Sequence, residues 1–194
     1  MDDRQGRRPD PTGLQLVRVF VTLVTVLTAG GCDRLPGPAV KQIREGHQAY
    51  RDRQYDLADR LLSEVIAQHP DAPDVAEAYL VRGLAELKSD KPGRAQADLE
   101  AGLGLSDRPE LIALIHAQLG NLDYEAGRYE SAAAHYGLAA DDLPDLEPTD
   151  RVLLRYGISL QRSGQFHEAK QVLASLLLRF DTGPAVADAR HKIL

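Results

Sequence analysis

The residues able to do covalent or metal chemistry are few in this chain. Cys32 is the single cysteine among 194 residues, so it can form neither an internal disulfide nor a multi-cysteine zinc site. Six histidines are present, and none forms a pair at four-residue spacing with an acid between its members. A phosphate-binding glycine loop and a G-x-S-x-G nucleophile turn are also missing from the sequence. We therefore expect no catalytic residue, no cofactor and no metal site, and a protein that is not an enzyme.

Cys32 stands at the end of a segment that has the order of a signal peptide. Four arginines precede an uncharged run from residue 19 to residue 31, and Gly30 and Gly31 come just before the cysteine. The uncharged run holds 13 residues, whereas a helix that spans the bilayer needs about 20. Residues 1–31 are therefore predicted to be a removable signal peptide rather than a transmembrane anchor.

The segment from Leu27 to Cys32 resembles the lipobox of bacterial lipoproteins, with Ala29 where leucine is usual. The resemblance implies cleavage before Cys32, acylation (palmitate) of its thiol, and anchoring of the chain at a membrane through residues 32–38, a predicted tether. It further implies a place in a bacterial cell envelope, on the outer face of the cytoplasmic membrane or on the outer membrane, with the domain in the periplasm. The alternative is an ordinary signal peptide cleaved near Ala29, which leaves Cys32 unmodified.

Charge and composition restrict the part of the chain that follows the leader. The leader contains four Arg and three Asp, so the remainder has a net charge of about −7. Because binding to phosphates requires clustered Lys and Arg, we expect no nucleic-acid partner. Tryptophan is absent, whereas Ala and Leu are abundant, which favours packed helices over sheets. The fold class predicted for residues 39–194 is all-α.

A 37-residue repeat is the strongest pattern in the sequence. Each unit has a glycine, an alanine twelve residues later, and a large side chain four residues beyond the alanine. These three places are Gly46, Gly83, Gly120 and Gly157; Ala58, Ala95, Ala132 and Ala169; and Leu62, Leu99, Tyr136 and Leu173. The two small residues would let two antiparallel helices approach closely, and the large residue would fill the space beside that contact. Each unit is therefore predicted to be a helical hairpin.

Turn signals agree with this interpretation. Gly127 and Gly164 stand where a first helix would end in a left-handed residue, and Tyr129 and Phe166 would open the second helix. Tyr55 holds the same place in the first unit. In the second unit the corresponding residue is Pro92, which suits the first turn of a helix.

These features resemble the tetratricopeptide repeat (TPR) family, at the glycine, alanine, large-residue and proline places and at the aromatic Tyr79. The resemblance covers units at about 39–72, 73–108, 109–146 and 147–182, and a half-unit at 183–194 that would cap the end. It implies a TPR-like solenoid of four helical hairpins plus a C-terminal capping helix. The long unit is similar to that of the periplasmic, lipoprotein-borne branch of the family.

The resemblance also implies a concave groove that binds a segment of a protein partner. Places three before, and one, four and five after each glycine fall within an arc of about 100° on the first helix. The candidate groove residues are Ile43, His47, Tyr50, Arg51, Leu80, Leu84, Asn121, Tyr124, Ile158 and Arg162. The alternative for Leu80 and Leu84 is packing against neighbouring helices. A clamp for a C-terminal carboxylate is not expected, because only Asn121 matches its pattern.

The function expected from this combination is that of a membrane-anchored adaptor, a protein-binding scaffold in a cell-envelope complex. Two alternatives remain. The layout resembles the lipoprotein subunit of outer-membrane protein assembly machines. An unmodified Cys32 would instead fit a soluble secreted accessory subunit of an enzyme or export complex.

Overall fold

The computed structural model describes residues 35–143 and 147–193, and it is all-α within these ranges, as predicted. One 3₁₀ turn, Pro73–Val75, precedes the third helix. The α-helices are α1 (Gly37–Arg51), α2 (Tyr55–Gln68), α3 (Ala76–Lys88), α4 (Pro92–Leu105), α5 (Pro109–Glu125), α6 (Tyr129–Ala139), α7 (Glu147–Arg162), α8 (Phe166–Arg179) and α9 (Pro184–Ile193).

The first eight helices form four hairpins, each closed by a connection of three residues. Contacts across the first hairpin run in opposite directions along its helices: Tyr50 meets Tyr55 near the turn, and Gln42 reaches Glu64 at the far end. The pairs are therefore antiparallel. The second helices begin at Tyr55, Pro92, Tyr129 and Phe166, the residues that the turn signals predicted.

Close approach within each hairpin depends on the repeated glycine. A Cβ atom built on Gly46 would lie 2.6 Å from Leu62, and one on Gly120 would lie 2.8 Å from the ring of Tyr136. Gly157 is covered by Leu173 in the same way. The large residues at these contacts are fully buried. The glycine thus makes room for a side chain of the opposite helix, which explains the spacing of the repeat.

All four hairpin turns have the same hydrogen-bond pattern. In the third hairpin the amide of Arg128 donates to the carbonyl of Asp123, and that of Gly127 donates to Tyr124, which is a Schellman motif. Gly127 and Gly164 have the predicted positive φ. Arg53 and Asp90 hold the equivalent places with φ of 60° and 59°, although neither is a glycine.

Successive hairpins stack in a row. The first helices α1, α3, α5 and α7 contact one another in order, and α9 packs on α7 and α8 as a first helix of a fifth hairpin would. Second helices of neighbouring hairpins do not pack together to a comparable extent in the described residues. One side of the row is therefore made of the first helices, and we call it the inner face.

The folded domain begins within residues 32–38, the segment predicted to be a tether. Leu35 is 8% exposed and belongs to the hydrophobic core, and α1 includes Gly37 and Pro38, because proline is compatible with the first turn of a helix. Cys32 and the predicted signal peptide lie outside the described residues. Within the described ranges, no helix is both long enough and apolar enough to cross a bilayer.

Candidate functional site

The predicted groove residues all lie on first helices, but at different depths. Buried members are Ile43, His47, Tyr50, Leu80 and Leu84. Half-buried members are Asn121, Tyr124 and Ile158, and exposed members are Arg51 and Arg162. Leu80 and Leu84 pack in the main hydrophobic core, as their alternative interpretation describes. The residues of the inner face available to a partner therefore belong mostly to the third and fourth hairpins.

A buried ion network joins the first three hairpins beneath this face. Glu77 is 2% exposed; its Oε1 lies 3.0 Å from Nε2 of His47, and its Oε2 lies 3.2 Å from a guanidinium nitrogen of Arg108. Burial alone would raise the pKa of Glu77, but the hydrogen bond and charge of His47, together with Arg108, outweigh burial and lower that pKa below 4.5. The sequence repeat did not indicate this network, because Glu77 and Arg108 lie outside the four places on which the groove was predicted.

Two tyrosines and two arginines form a stacked row between the third and fourth hairpins; three of them lie on the first helices α5 and α7, and Tyr129 opens α6. The Arg155 guanidinium carbon lies 4.9 Å from the ring centre of Tyr124, and that of Arg162 lies 5.8 Å from the ring centre of Tyr129. The two rings meet edge to face at 5.7 Å. We call these four residues the tyrosine–arginine ladder. Stacked guanidinium groups leave their N–H edges directed outward for a carboxylate.

Asn121 supports this ladder and is already engaged. Its Oδ1 accepts hydrogen bonds of 2.9 Å from the hydroxyl of Tyr136 and from Arg155, and Arg155 also pairs with Glu125 at 2.7 Å. Burial raises the pKa of Tyr136 well above its usual value, so the phenol remains a donor at neutral pH. Asn121 therefore positions Arg155. The sequence analysis did not identify Arg155 as a candidate residue.

A second cluster lies between the helices of the third hairpin. Nδ1 of His116 and Nδ1 of His135 are 3.1 Å apart, and both rings are half-buried. Burial, and then the neighbouring His135, lower the pKa of His116 below 6.5, which keeps it neutral at pH 7. Asp123 stands beside this pair and also accepts hydrogen bonds from Arg128 and Ser131. In the described residues no group of three or more His, Cys, Asp or Glu converges as a ready metal site.

The two histidines are 19 residues apart and were not associated at the sequence level. Their places in the repeat unit could have predicted the contact, because His116 precedes Gly120 by four residues and His135 follows Ala132 by three. Those two places meet across a hairpin, as the contact of Gln42 with the carbonyl of Leu61 in the first unit also illustrates.

Comparison with known proteins gives no family assignment. No family model matches the chain, and no curated protein sequence matches it.

Proposed function

We propose that this chain is a TPR lipoprotein that acts as a membrane-anchored adaptor, holding a segment of another protein on its inner face. The observation that carries the proposal is the tyrosine–arginine ladder, which presents two aromatic rings, each beside a guanidinium group, on the hairpin stack. Apolar and cationic groups at such a surface suit an extended or helical segment that carries both apolar and acidic side chains.

The solenoid assignment is supported by the repeat of contacts rather than by any relative. Four hairpins share one connection length, one turn motif and one glycine-centred contact, and each hairpin packs only on its neighbours along the row. These shared features support the proposal of a TPR-like solenoid with α9 as its cap.

The chemistry of Arg162 supports an acidic group on the partner. Arg162 is exposed at the end of α7, stacks on Tyr129, and makes no ion pair within the described part of the chain. Arg155, in contrast, pairs with Glu125 and donates a hydrogen bond to Asn121. A carboxylate that approaches the ladder would therefore meet one uncommitted guanidinium already held by an aromatic ring, which reduces the entropy lost on binding.

The membrane anchor and the cell-envelope location are proposed from the lipobox resemblance at Cys32. The intact mass of the mature protein, extracted with detergent from its native host, tests them. We expect a chain that begins at Cys32 and carries acyl mass, and loss of that mass in Cys32→Ser. An unmodified chain cut near Ala29 would refute the anchor and leave the adaptor proposal to be tested separately.

Partner binding is tested by placing a photo-crosslinking amino acid at Gln161, which lies on α7 beside the ladder, or at Gln171, an exposed position of α8, as the matched control. We expect a discrete adduct in native membranes from position 161 and none from position 171. Arg162→Glu should weaken the adduct, whereas Lys170→Glu should not. Equal adducts from both positions, or none from position 161, would contradict binding at the inner face.

A further inference from the structure

The third hairpin differs from the other three at one internal contact. The places occupied by His116 and His135 hold Gln42 and Leu61 in the first hairpin, Tyr79 and Asp98 in the second, and Leu153 and Val172 in the fourth. Those pairs show that the hairpin packs without imidazoles at this contact. The repeat therefore does not require the two histidines, so they are available for a role other than packing.

The geometry of the pair matches two ligands of one metal ion. Two Zn–N bonds of about 2.0–2.1 Å at the tetrahedral angle separate the nitrogen atoms by about 3.3 Å, and bonds at a right angle, as in tetragonal Cu(II), separate them by about 2.9 Å. The observed separation of the two Nδ1 atoms is 3.1 Å, between these values. The separation is therefore compatible with one shared ion, which would lie to one side of the line between the two nitrogen atoms, so both rings would turn from their hydrogen-bonded orientation.

A carboxylate lies on the far side of one imidazole. Oδ2 of Asp123 is 3.9 Å from Nε2 of His135 and is buried, with Arg128 and Ser131 holding the same carboxyl group. At 3.9 Å this carboxylate lies beyond hydrogen-bond distance, but its charge favours the tautomer that carries the proton on Nε2, which leaves the lone pair on Nδ1 of His135 to face His116. Metal-binding histidines usually have such an acidic neighbour at the ring nitrogen that does not bind the ion.

We propose that Nδ1 of His116 and Nδ1 of His135 together bind a divalent transition-metal ion, of the imidazole-preferring class that includes Zn²⁺ and Cu²⁺, with Asp123 orienting His135. Water completes the coordination, since no third protein ligand converges on the pair in the described residues. Binding replaces the hydrogen bond between the two rings. The proton on Nδ1 of His116 moves through solvent to its Nε2, so that both rings stay neutral and no net proton is released.

The site is reachable from solvent. The side chain of His135 is 29% exposed, and His116 is half-buried. His135, but not His116, also lines a surface cavity of about 260 Å³ on the side of Asp123 and Ser131. An ion at the pair would link α5 to α6 across the hairpin that carries Tyr124 and Tyr129. Metal binding would therefore stiffen the hairpin that presents the ladder, although the metal site does not depend on the adaptor proposal.

Zinc titration of the full chain, followed by NMR of the imidazole nitrogens, tests the site. We expect the Nδ1 resonances of both histidines to shift together on addition of Zn²⁺, with no response to Mg²⁺, whose preferred ligands are oxygens. A shift at the Nε2 atoms instead, or a shift confined to other histidines, would refute the proposed ligands. This readout uses the unsubstituted protein, so it does not depend on whether any variant folds.

Calorimetric titration of variants gives the second test. His116→Gln and His135→Gln should each weaken Zn²⁺ binding at least tenfold, while the matched control His167→Gln, at an exposed place on α8, should bind as the parent does. Circular dichroism checks that each variant is helical without metal. Affinity unchanged in both His116→Gln and His135→Gln would overturn the proposal.

Discussion

At the scale of single residues, the hairpins are held together by side chains that fill the space left by a missing Cβ. Tyr136 is the largest of them; it is fully buried, its ring covers Gly120, and its hydroxyl donates to Asn121. The same residue therefore fixes the distance between α5 and α6 and the position of the amide that holds Arg155. Packing of the core and geometry of the ladder are thus connected through one side chain.

Gly120→Ala should destabilise the protein. The added Cβ would lie 2.8 Å from a buried aromatic ring that has no room to retreat, so overpacking of about 1–3 kcal/mol outweighs the gain in helix propensity. Gly104→Ala is the control, because nothing lies within 4 Å of the added atom, and it should be neutral or stabilising by up to about 1 kcal/mol. Urea unfolding measures both, and equal effects would contradict the packing argument.

Glu77→Gln should remove a pH-dependent part of the stability. The pKa of Glu77 is lowered in the folded protein, so the unfolded chain takes up its proton first as the pH falls below about 4.5, and the stability that the charge provides is lost there. At pH 7 the substitution removes the buried carboxylate that pairs with His47 and Arg108, at a cost of about 3 kcal/mol.

The free energy of unfolding measured from pH 7 to pH 3 checks this prediction. The difference between the parent and Glu77→Gln should be largest at neutral pH and shrink below pH 4.5. Glu110→Gln, at an exposed place in the first turn of α5, serves as control and should change little. A difference that stays constant over the whole range would exclude the charge of Glu77 as the cause.

The candidate site was only partly predictable at this scale. Periodicity placed Tyr124 and Arg162 among the candidate groove residues, and both belong to the tyrosine–arginine ladder. It could not give depth, because each first helix is covered in part by the next one; this is how His47 and Leu80 come to be buried. Contacts between units, such as that of Arg155 with Tyr124, depend on the angle at which one hairpin packs on the next. A repeat pattern in the sequence does not give that packing angle.

At the scale of the element, the four hairpin turns adopt the same backbone motif with different residues. Gly127 and Gly164 were predictable, because glycine has no Cβ to oppose a left-handed conformation. Arg53 was not, since arginine does not favour that conformation, and Asp90 only weakly, since aspartate adopts it more often than most residues but is common elsewhere. The constant 37-residue offset is what shows that both share it. The first two turns therefore carry a backbone cost that the last two avoid.

Arg53→Gly and Asp90→Gly should each stabilise the protein by about 0.5–1 kcal/mol, because glycine relieves the left-handed strain at the end of α1 and of α3. For a chain of this size such a change raises the Tm by roughly 2–4 °C. Gly127→Ala is the reverse substitution and should lower the Tm. Thermal unfolding followed by circular dichroism decides the matter, and a fall in Tm for both glycine variants would contradict the strain.

At the scale of the whole molecule, the core is not continuous. One large cluster runs from α1 to α6 and includes Val152 of α7, and a second, containing Leu153, Leu173, Leu176 and Val186, joins α7, α8 and α9. A small group of Ala133, Leu160 and Ala169 lies between them. Because each hairpin is stabilised by its neighbours, the fourth hairpin depends on α9 for the other side of its core.

Val186→Asp should loosen the fourth hairpin without unfolding the first three. It places an unpaired charge in the second cluster, which joins α7, α8 and α9 and in which the Val186 side chain is 1% exposed. We expect α9 to detach as a result. Hydrogen exchange should then speed up in α7, α8 and α9, with protection retained in α1 to α4. Ala187→Asp, at an exposed place on the same helix, is the control. Uniform loss of protection along the chain would show instead that the hairpins unfold as one unit.

Leu35 has a consequence for how the protein would search for its partner. It is packed in the core three residues after Cys32, and a chain of that length spans at most about 10 Å. If Cys32 carries the proposed lipid, the first hairpin is held close to the lipid headgroups. The hairpin stack then diffuses with the membrane and does not sample the space that a long flexible linker would allow. Partners on the same surface would then be met by lateral diffusion in two dimensions, at a raised effective concentration, while partners distant from that surface would be out of reach.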